Sequence, residues 1–445
     1  MEAENAGVGR SSRYRLAFVS WPVLVVLVAL VVGVRSYERV VYPTMQVEDG
    51  ARIYAYFHDH RGFGHVFRFK SGYMPLLPNV LGYVSVRLPP PAAPYFMALA
   101  PTLFSVFAYT SFFFRRFRAV VADDGLRFLT CLALALAPVG QFFLVSHTDF
   151  SIWNALFCAV LWAWAPLPDG PWRAGSSLAA QQLFVWSHPI SIVAAPINAA
   201  QVWFAKSRGQ RITQGAMLVG HALHLALGLD HSFTQRTVGA RIGDFPRRLV
   251  EYEHRALARA LFGRRSLVWL ETHGGAWLVL AATLALLAGA LWVALRDPRL
   301  RLSVVLAAYS LTGLAVAVAA SRTGRQIDHG IRYIYVQSLF AAMLIVFVVR
   351  GAWQAARWPA RLALRRRRLA QFAPDAVLVA LFALQNVSVG RFRANDGGHN
   401  AARVADCMRR LAAHQAERGG PCGFSLTCTK SDDWNIVFRP PKCRR

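Results

Sequence analysis

Apolar runs of about 18 residues or more recur along most of this chain, separated by short clusters of arginine. A run of that length is what an α-helix needs to cross a hydrocarbon core ~30 Å thick, where each backbone polar group must be satisfied within the helix. The pattern predicts an all-α polytopic membrane protein. Composition agrees, since 55% of the 445 residues are hydrophobic and only 16% are charged. No small-residue cleavage pattern follows the first run, residues 16–33, so it reads as a retained span.

The net charge is +27, but it does not point to nucleic acid. The basic residues lie in short clusters between apolar runs, which is the positive-inside bias of a membrane protein, with attraction to anionic headgroups. Arg10, Arg13 and Arg15 put the N-terminus in the cytoplasm. Crossings follow at 95–114, 128–145 and 150–165. The stretch 177–205 is interrupted by Ser187, His188, Pro189 and Pro196 and fits one crossing or two short ones. Two crossings place Lys206, Arg208, Arg211, Arg296, Arg350 and Arg365–Arg368 inside, so the charge bias prefers two. Further crossings at 216–229, 276–295, 302–320, 334–349 and 376–389 bring the total to about eleven.

This topology makes 1–389 a transmembrane domain with outer loops at 35–94, 230–273 and 321–333. Segment 74–88 is broken by Pro75, Pro78 and Gly82 and reads as a helix on the outer surface. Residues 390–445 form an outside tail with Cys407, Cys422, Cys428 and Cys443. Four cysteines in one polar segment suit an oxidising compartment and disulfides better than zinc, since no tight CxxC pair is present. Alternation over 424–428 and 434–438 predicts a small β-hairpin cap.

Polar chemistry concentrates in the first outer loop. Glu48 and Asp49 follow the first span directly, where a carboxylate is free to bind or to take a proton. Asp49 has a second reading, as cap of a helix over 51–58. Tyr54 and His58 follow, and His58-Asp59-His60 has the look of a metal motif, although alternate residues do not share a helix face. Arg322, Arg325, His329 and Arg332 crowd the third loop, on the side where arginine is not expected. Their planar forks suit a lipid phosphate. Asp149 in a short outer turn and His188 in the broken stretch are further cavity candidates. No phosphate-cradling loop or dinucleotide fingerprint is present.

An N-inside first span, a long outer loop opening on an acidic doublet (Val47-Glu48-Asp49-Gly50 through Ser71-Gly72-Tyr73-Met74-Pro75), a surface helix and many short-looped spans resemble the GT-C superfamily of integral-membrane glycosyltransferases. The same segment is similar to uncharacterised bacterial membrane proteins grouped with them. The resemblance implies a multi-pass protein of the bacterial inner membrane. It implies transfer of a sugar from a polyprenyl-phosphate donor to a glycan or lipid acceptor outside the cytoplasm. Glu48 and Asp49 would then be catalytic, with a divalent cation possible as cofactor. Arg322, Arg325, His329 or Arg332 would hold the donor phosphate. The Asp-x-Asp form common in the family is absent, and so is a large soluble C-terminal domain. Two other functions compete: a transporter or flippase of a lipid-linked glycan, which predicts internal repeats that the halves do not display, and a polysaccharide polymerase or ligase using the 230–273 loop.

Overall fold

Helix forms at each expected crossing wherever the chain is described. The structure, a computed structural model, describes residues 20–41, 43, 49–70, 73–137, 146–168, 170–205, 207–232, 245–320, 331–356, 373–374, 376–384, 402, 404–413, 426–427 and 437–438. The first helices are α1 (Trp21–Arg35) and α2 (Tyr37–Val41). A π-helical turn (Asp49–Tyr54) leads into α3 (Ala55–Asp59), followed by a 3-10 turn (Phe63–Phe67). Next come α4 (Leu76–Ser85), α5 (Ala93–Thr110), α6 (Asp124–Leu136) and α7 (Ser151–Trp162). Then α8 (Pro171–Val185) stops before the 3-10 segment Pro189–Ala194, and α9 (Ala195–Trp203) resumes. The remainder is α10 (Arg208–Ser232), α11 (Phe245–Thr272), α12 (Ala276–Arg296), α13 (Arg301–Ala320) and α14 (Ile331–Ala355).

Burial follows from how the apolar residues are spaced. In α1, Leu24, Val28 and Val32 recur every four residues and are buried, while Val26, Leu30 and Val34 are exposed. The apolar helix α14 is hydrophobic on all sides, and 94% of its most apolar window is buried. It is the central helix, packed against α11 and α13 and joined in one core with Tyr109, Phe112, Phe157 and Trp164. For α12 the matching figure is 28%, with Leu280, Leu284, Leu291 and Leu295 exposed. That is the face expected toward lipid.

Among the described residues, four helical stretches are long and apolar enough to cross a bilayer: Pro90–Ala119, Ala276–Arg296, Arg301–Ala320 and Ile334–Ala355. The other expected crossings fall on shorter or more polar helices. Helix α6 has 13 residues, a rise of about 20 Å against a core of ~30 Å. Helix α10 has 25 residues but carries Arg208, Arg211, His221 and His224. The 177–205 stretch breaks at His188-Pro189, where proline ends the α-helical ladder and the His188 ring accepts from the Ile190 amide.

The segment 230–273, expected as the second outer loop, is helical in its latter part. This part is α11, a 28-residue helix bent at Gly263 (φ 70°). Tyr252, Ala256, Leu257 and Ala260 are buried at helical spacing, and α11 packs against α12, α13 and α14. The arginines and glutamates on its other face lower the mean hydropathy and conceal the stripe.

The tail folds back onto the first loop. Val404, Cys407, Met408 and Leu411, on a helical stretch at 404–413, bury with Ile53, Tyr54, Phe57, Ala93 and Met97. Leu426–Thr427 pairs antiparallel with Val437–Phe438, beside α3. Cys407 is disulfide-bonded, whereas Cys422, Cys428 and Cys443 lie outside the described residues. Cys131 and Cys158 are free and buried.

Helix α4 crosses the first loop at Gly82. A Cβ there would run into Ile53 Cγ2 and sit 2.7 Å from Phe57 Cδ2. Gly82→Ala should therefore destabilise the protein by about 1–3 kcal/mol, the usual range for overpacking. Denaturant unfolding in detergent reads this, and an unchanged midpoint would show that α4 does not pack so closely.

Candidate functional site

The first loop, the turn before α7 and the break after α8 meet at one end of the bundle, and a buried polar cluster lies where they meet. Asp49 opens the π-helical turn and is fully buried. Its Oδ2 accepts from Arg39 Nη2 at 2.6 Å and from the Thr148 amide at 3.2 Å, and its Oδ1 accepts from the Asp149 amide at 2.9 Å. His147 Nδ1 lies 3.5 Å from Oδ2. Asp49 thus holds the turn that leads into α7. It satisfies amides that precede α7, about 100 residues away in sequence.

Asp149 sits on this turn. Lys70 Nζ donates to its Oδ1 at 3.0 Å, and the Asp149 side chain is 9% exposed. Lys70 is held by a backbone bridge to Tyr73. The Tyr73 ring lies 5.7 Å from His188, and the Trp153 ring lies 4.7 Å from it. The Ser187 hydroxyl accepts from the Leu77 amide at 3.0 Å, which seats α4 on the break. The structure therefore brings together Asp49, Asp149 and His188 and adds Arg39, Lys70, Tyr73, His147 and Trp153. Tyr54 and His58 lie in the first-loop segment that follows Asp49. Tyr54 is buried in the first-loop core, and burial pushes its hydroxyl up to about 12. His58 is buried and paired with Asp59 at 3.3 Å.

Glu48, Arg322, Arg325 and His329 lie outside the described residues, as does the side chain of Arg332 on the first turn of α14. The helix ends that flank this arginine loop are described. Val318 and Ala319 at the end of α13 and Ile334 near the start of α14 pack with Ile190, two residues beyond His188. No group of three or more His, Cys, Asp or Glu residues able to hold a metal occurs among the described residues.

The sequence gives no local signal for Arg39 or for its pairing with Asp49. Arg39 is buried where α2 packs against α5 and its guanidinium meets Asp49, a tertiary event. Lys70 carries a weak signal, as the last cation of the polar run that starts at Glu48.

Electrostatics at the cluster imply a pH dependence. Burial holds His147 well below its ordinary value, with Arg39 adding to the effect, and burial also lowers His58. A histidine depressed in the fold stays neutral there, while the unfolded chain protonates below about pH 6.5. Stability is therefore full above about pH 6.5 and falls as the pH drops toward the folded values. His147 alone should remove about 1.4 kcal/mol per pH unit in that window. Thermal unfolding across about pH 5 to 7.5 should show this slope, and His147→Gln should flatten it. Equal slopes in the two proteins would contradict the assignment.

Comparison of the chain with protein-family models, with curated proteins and with solved structures finds no match.

Proposed function

We propose that this protein transfers a sugar from a polyprenyl-phosphate donor to a glycan or lipid acceptor outside the cytoplasm, as its resemblance to the GT-C transferases implies. One observation carries the reading. The helix ends that bear the arginine loop pack at Ile190, beside His188, and His188 neighbours the Asp49–Asp149–Lys70 cluster through Tyr73 and Trp153. An acidic group and a phosphate-binding loop at one end of the bundle are what a transferase with a lipid-phosphate donor requires. In this reading the chain crosses the membrane about eleven times. The N-terminus is cytoplasmic, the cluster faces outward, and the tail with its short strand pair caps the first loop.

The chemistry divides the two aspartates. Both oxygens of Asp49 accept hydrogen bonds in the fold, so Asp49 positions the 147–150 turn. Asp149 takes the proton from the acceptor hydroxyl. The acceptor oxygen then bonds to the anomeric carbon of the sugar, the carbon–oxygen bond to phosphate breaks, and polyprenyl phosphate leaves. Lys70 holds the Asp149 carboxylate in place. Arg322, Arg325, His329 and Arg332 neutralise the leaving phosphate, arginine by its bidentate fork.

Isolated membranes supplied with labelled polyprenyl-phosphate sugar and a lipid-soluble acceptor test the reading. The label should become covalently attached to the acceptor. Movement of intact donor across the bilayer without attachment would favour a flippase. Arg332→Lys keeps the charge and loses the fork. It should raise the donor concentration needed about tenfold or more, since one charge-assisted hydrogen bond contributes about 1.5–3 kcal/mol.

A further inference from the structure

The first loop carries a histidine pair outside the acidic cluster. His60, exposed, and His65, half-buried, have ring centroids 5.0 Å apart and planes at 59°. One residue, Tyr56, orients both. His60 Nδ1 donates to the Tyr56 carbonyl at 3.0 Å, and His65 Nδ1 bonds the Tyr56 hydroxyl at 2.9 Å. The Tyr56 ring is itself fixed, with His60 stacked on it at 4.3 Å and the Arg68 guanidinium 3.6 Å from its centroid. A carbonyl only accepts, so the His60 proton is on Nδ1 and the lone pair is on Nε2. Metal-binding histidines show this arrangement, with the non-ligating nitrogen tied to a carbonyl or another polar partner that sets tautomer and ring angle.

The spacing also fits. Zinc–imidazole bonds of about 2.0–2.1 Å at a tetrahedral angle place two ring centroids about 5.2 Å apart.

We propose that His60 and His65 form a two-imidazole site for a borderline divalent cation of the zinc class, bound through the two Nε2 atoms, with water or an incoming ligand in the remaining positions. The sequence pointed to a different pair. His58-Asp59-His60 has metal-like residue types, but His58 turns inward to Asp59, and His65 is the partner that faces His60. Imidazole selects zinc-class ions over magnesium or calcium, which prefer oxygen. Asp59 lies next in sequence to His60, while Arg61 and Arg68 add positive charge nearby and keep the affinity moderate. Bound metal would clip the end of α3 to the 3-10 turn over Phe63–Phe67 and stiffen the loop that carries Asp49. The proposal is independent of the transfer reading.

Two measurements test it on the full chain in detergent after chelator treatment. In the first, zinc is titrated against a chromophoric chelator with wild type and with His60→Gln/His65→Gln. The chain has 13 histidines, so the readout is the difference between the two proteins. Wild type should bind one more equivalent, and Tyr56→Phe should weaken that equivalent about 10- to 100-fold. Identical titrations of wild type and double variant would overturn the proposal. The second needs no variant: carbethoxylation of histidines is mapped by mass spectrometry with and without zinc. Zinc should slow modification at His60 and His65 and leave exposed His273 unchanged. Equal rates at the pair with and without zinc would overturn the proposal even if the double variant misfolds.

Discussion

Asp49→Asn should unfold the first loop and not merely silence the protein. The carboxylate is fully buried and accepts from Arg39 and from two backbone amides. Asparagine keeps the shape but turns one acceptor oxygen into a donor, which then faces either the guanidinium or an amide. Arg39, 2% exposed, loses the carboxylate 2.6 Å from its guanidinium. Removing one partner of a buried ion pair typically costs about 3–5 kcal/mol, a large share of the stability of most folded domains. Unfolding monitored in detergent should show a loss of that size. Arg39→Met in the Asp49→Asn background should recover part of it, because the buried charge is then gone. A fully stable, inactive Asp49→Asn protein would instead return Asp49 to the role of general base.

Asp149→Asn should cost less stability than Asp49→Asn, because the Lys70 side chain is 15% exposed and an asparagine oxygen can still accept from it, and should leave little transfer. Asp149 lies on the turn that Asp49 holds, so losing its charge leaves the Asp49 contacts to the Thr148 and Asp149 amides intact. A positioned general base contributes about 10²–10⁴-fold to rate, and transfer should fall by that factor. Lys70→Met should also reduce transfer, because the carboxylate loses the cation that orients it. Retained transfer in Asp149→Asn would remove Asp149 from the chemistry.

Much of this architecture was legible in the sequence, and the gaps have physical causes. Apolar run length located the helices. Pro189 marked the break between α8 and α9, and the Pro- and Gly-broken 74–88 segment gave the short helix α4. Helix α11 escaped because its buried stripe of Tyr252, Ala256 and Ala260 is interleaved with charged residues, so composition resembled a loop. The expected crossings at α6 and α7 rest on helices of 13 and 12 residues, shorter than composition alone implied.

At the site, Asp49, Asp149 and His188 were each visible as polar residues next to apolar runs. Their relation was not. The bonds from Asp149 and Thr148 to Asp49 join positions about 100 residues apart, and no periodicity encodes such a contact. The sequence alone allows Asp49 two roles, as a base or as a cap on its own helix. Packing sets its carboxylate against the amides of the turn before α7.

The central claim is that donor phosphate, His188 and Asp149 share one end of the bundle. Photo-crosslinking with a polyprenyl-phosphate analogue carrying the reactive group beside the phosphate tests it most directly, with labelled peptides mapped by mass spectrometry. The account predicts label within 146–153, 187–190 and 321–333, competed by unlabelled donor. Label concentrated instead around Arg116, Arg118 and Arg127, where Asp124 and Arg118 pair near the start of α6, would contradict it.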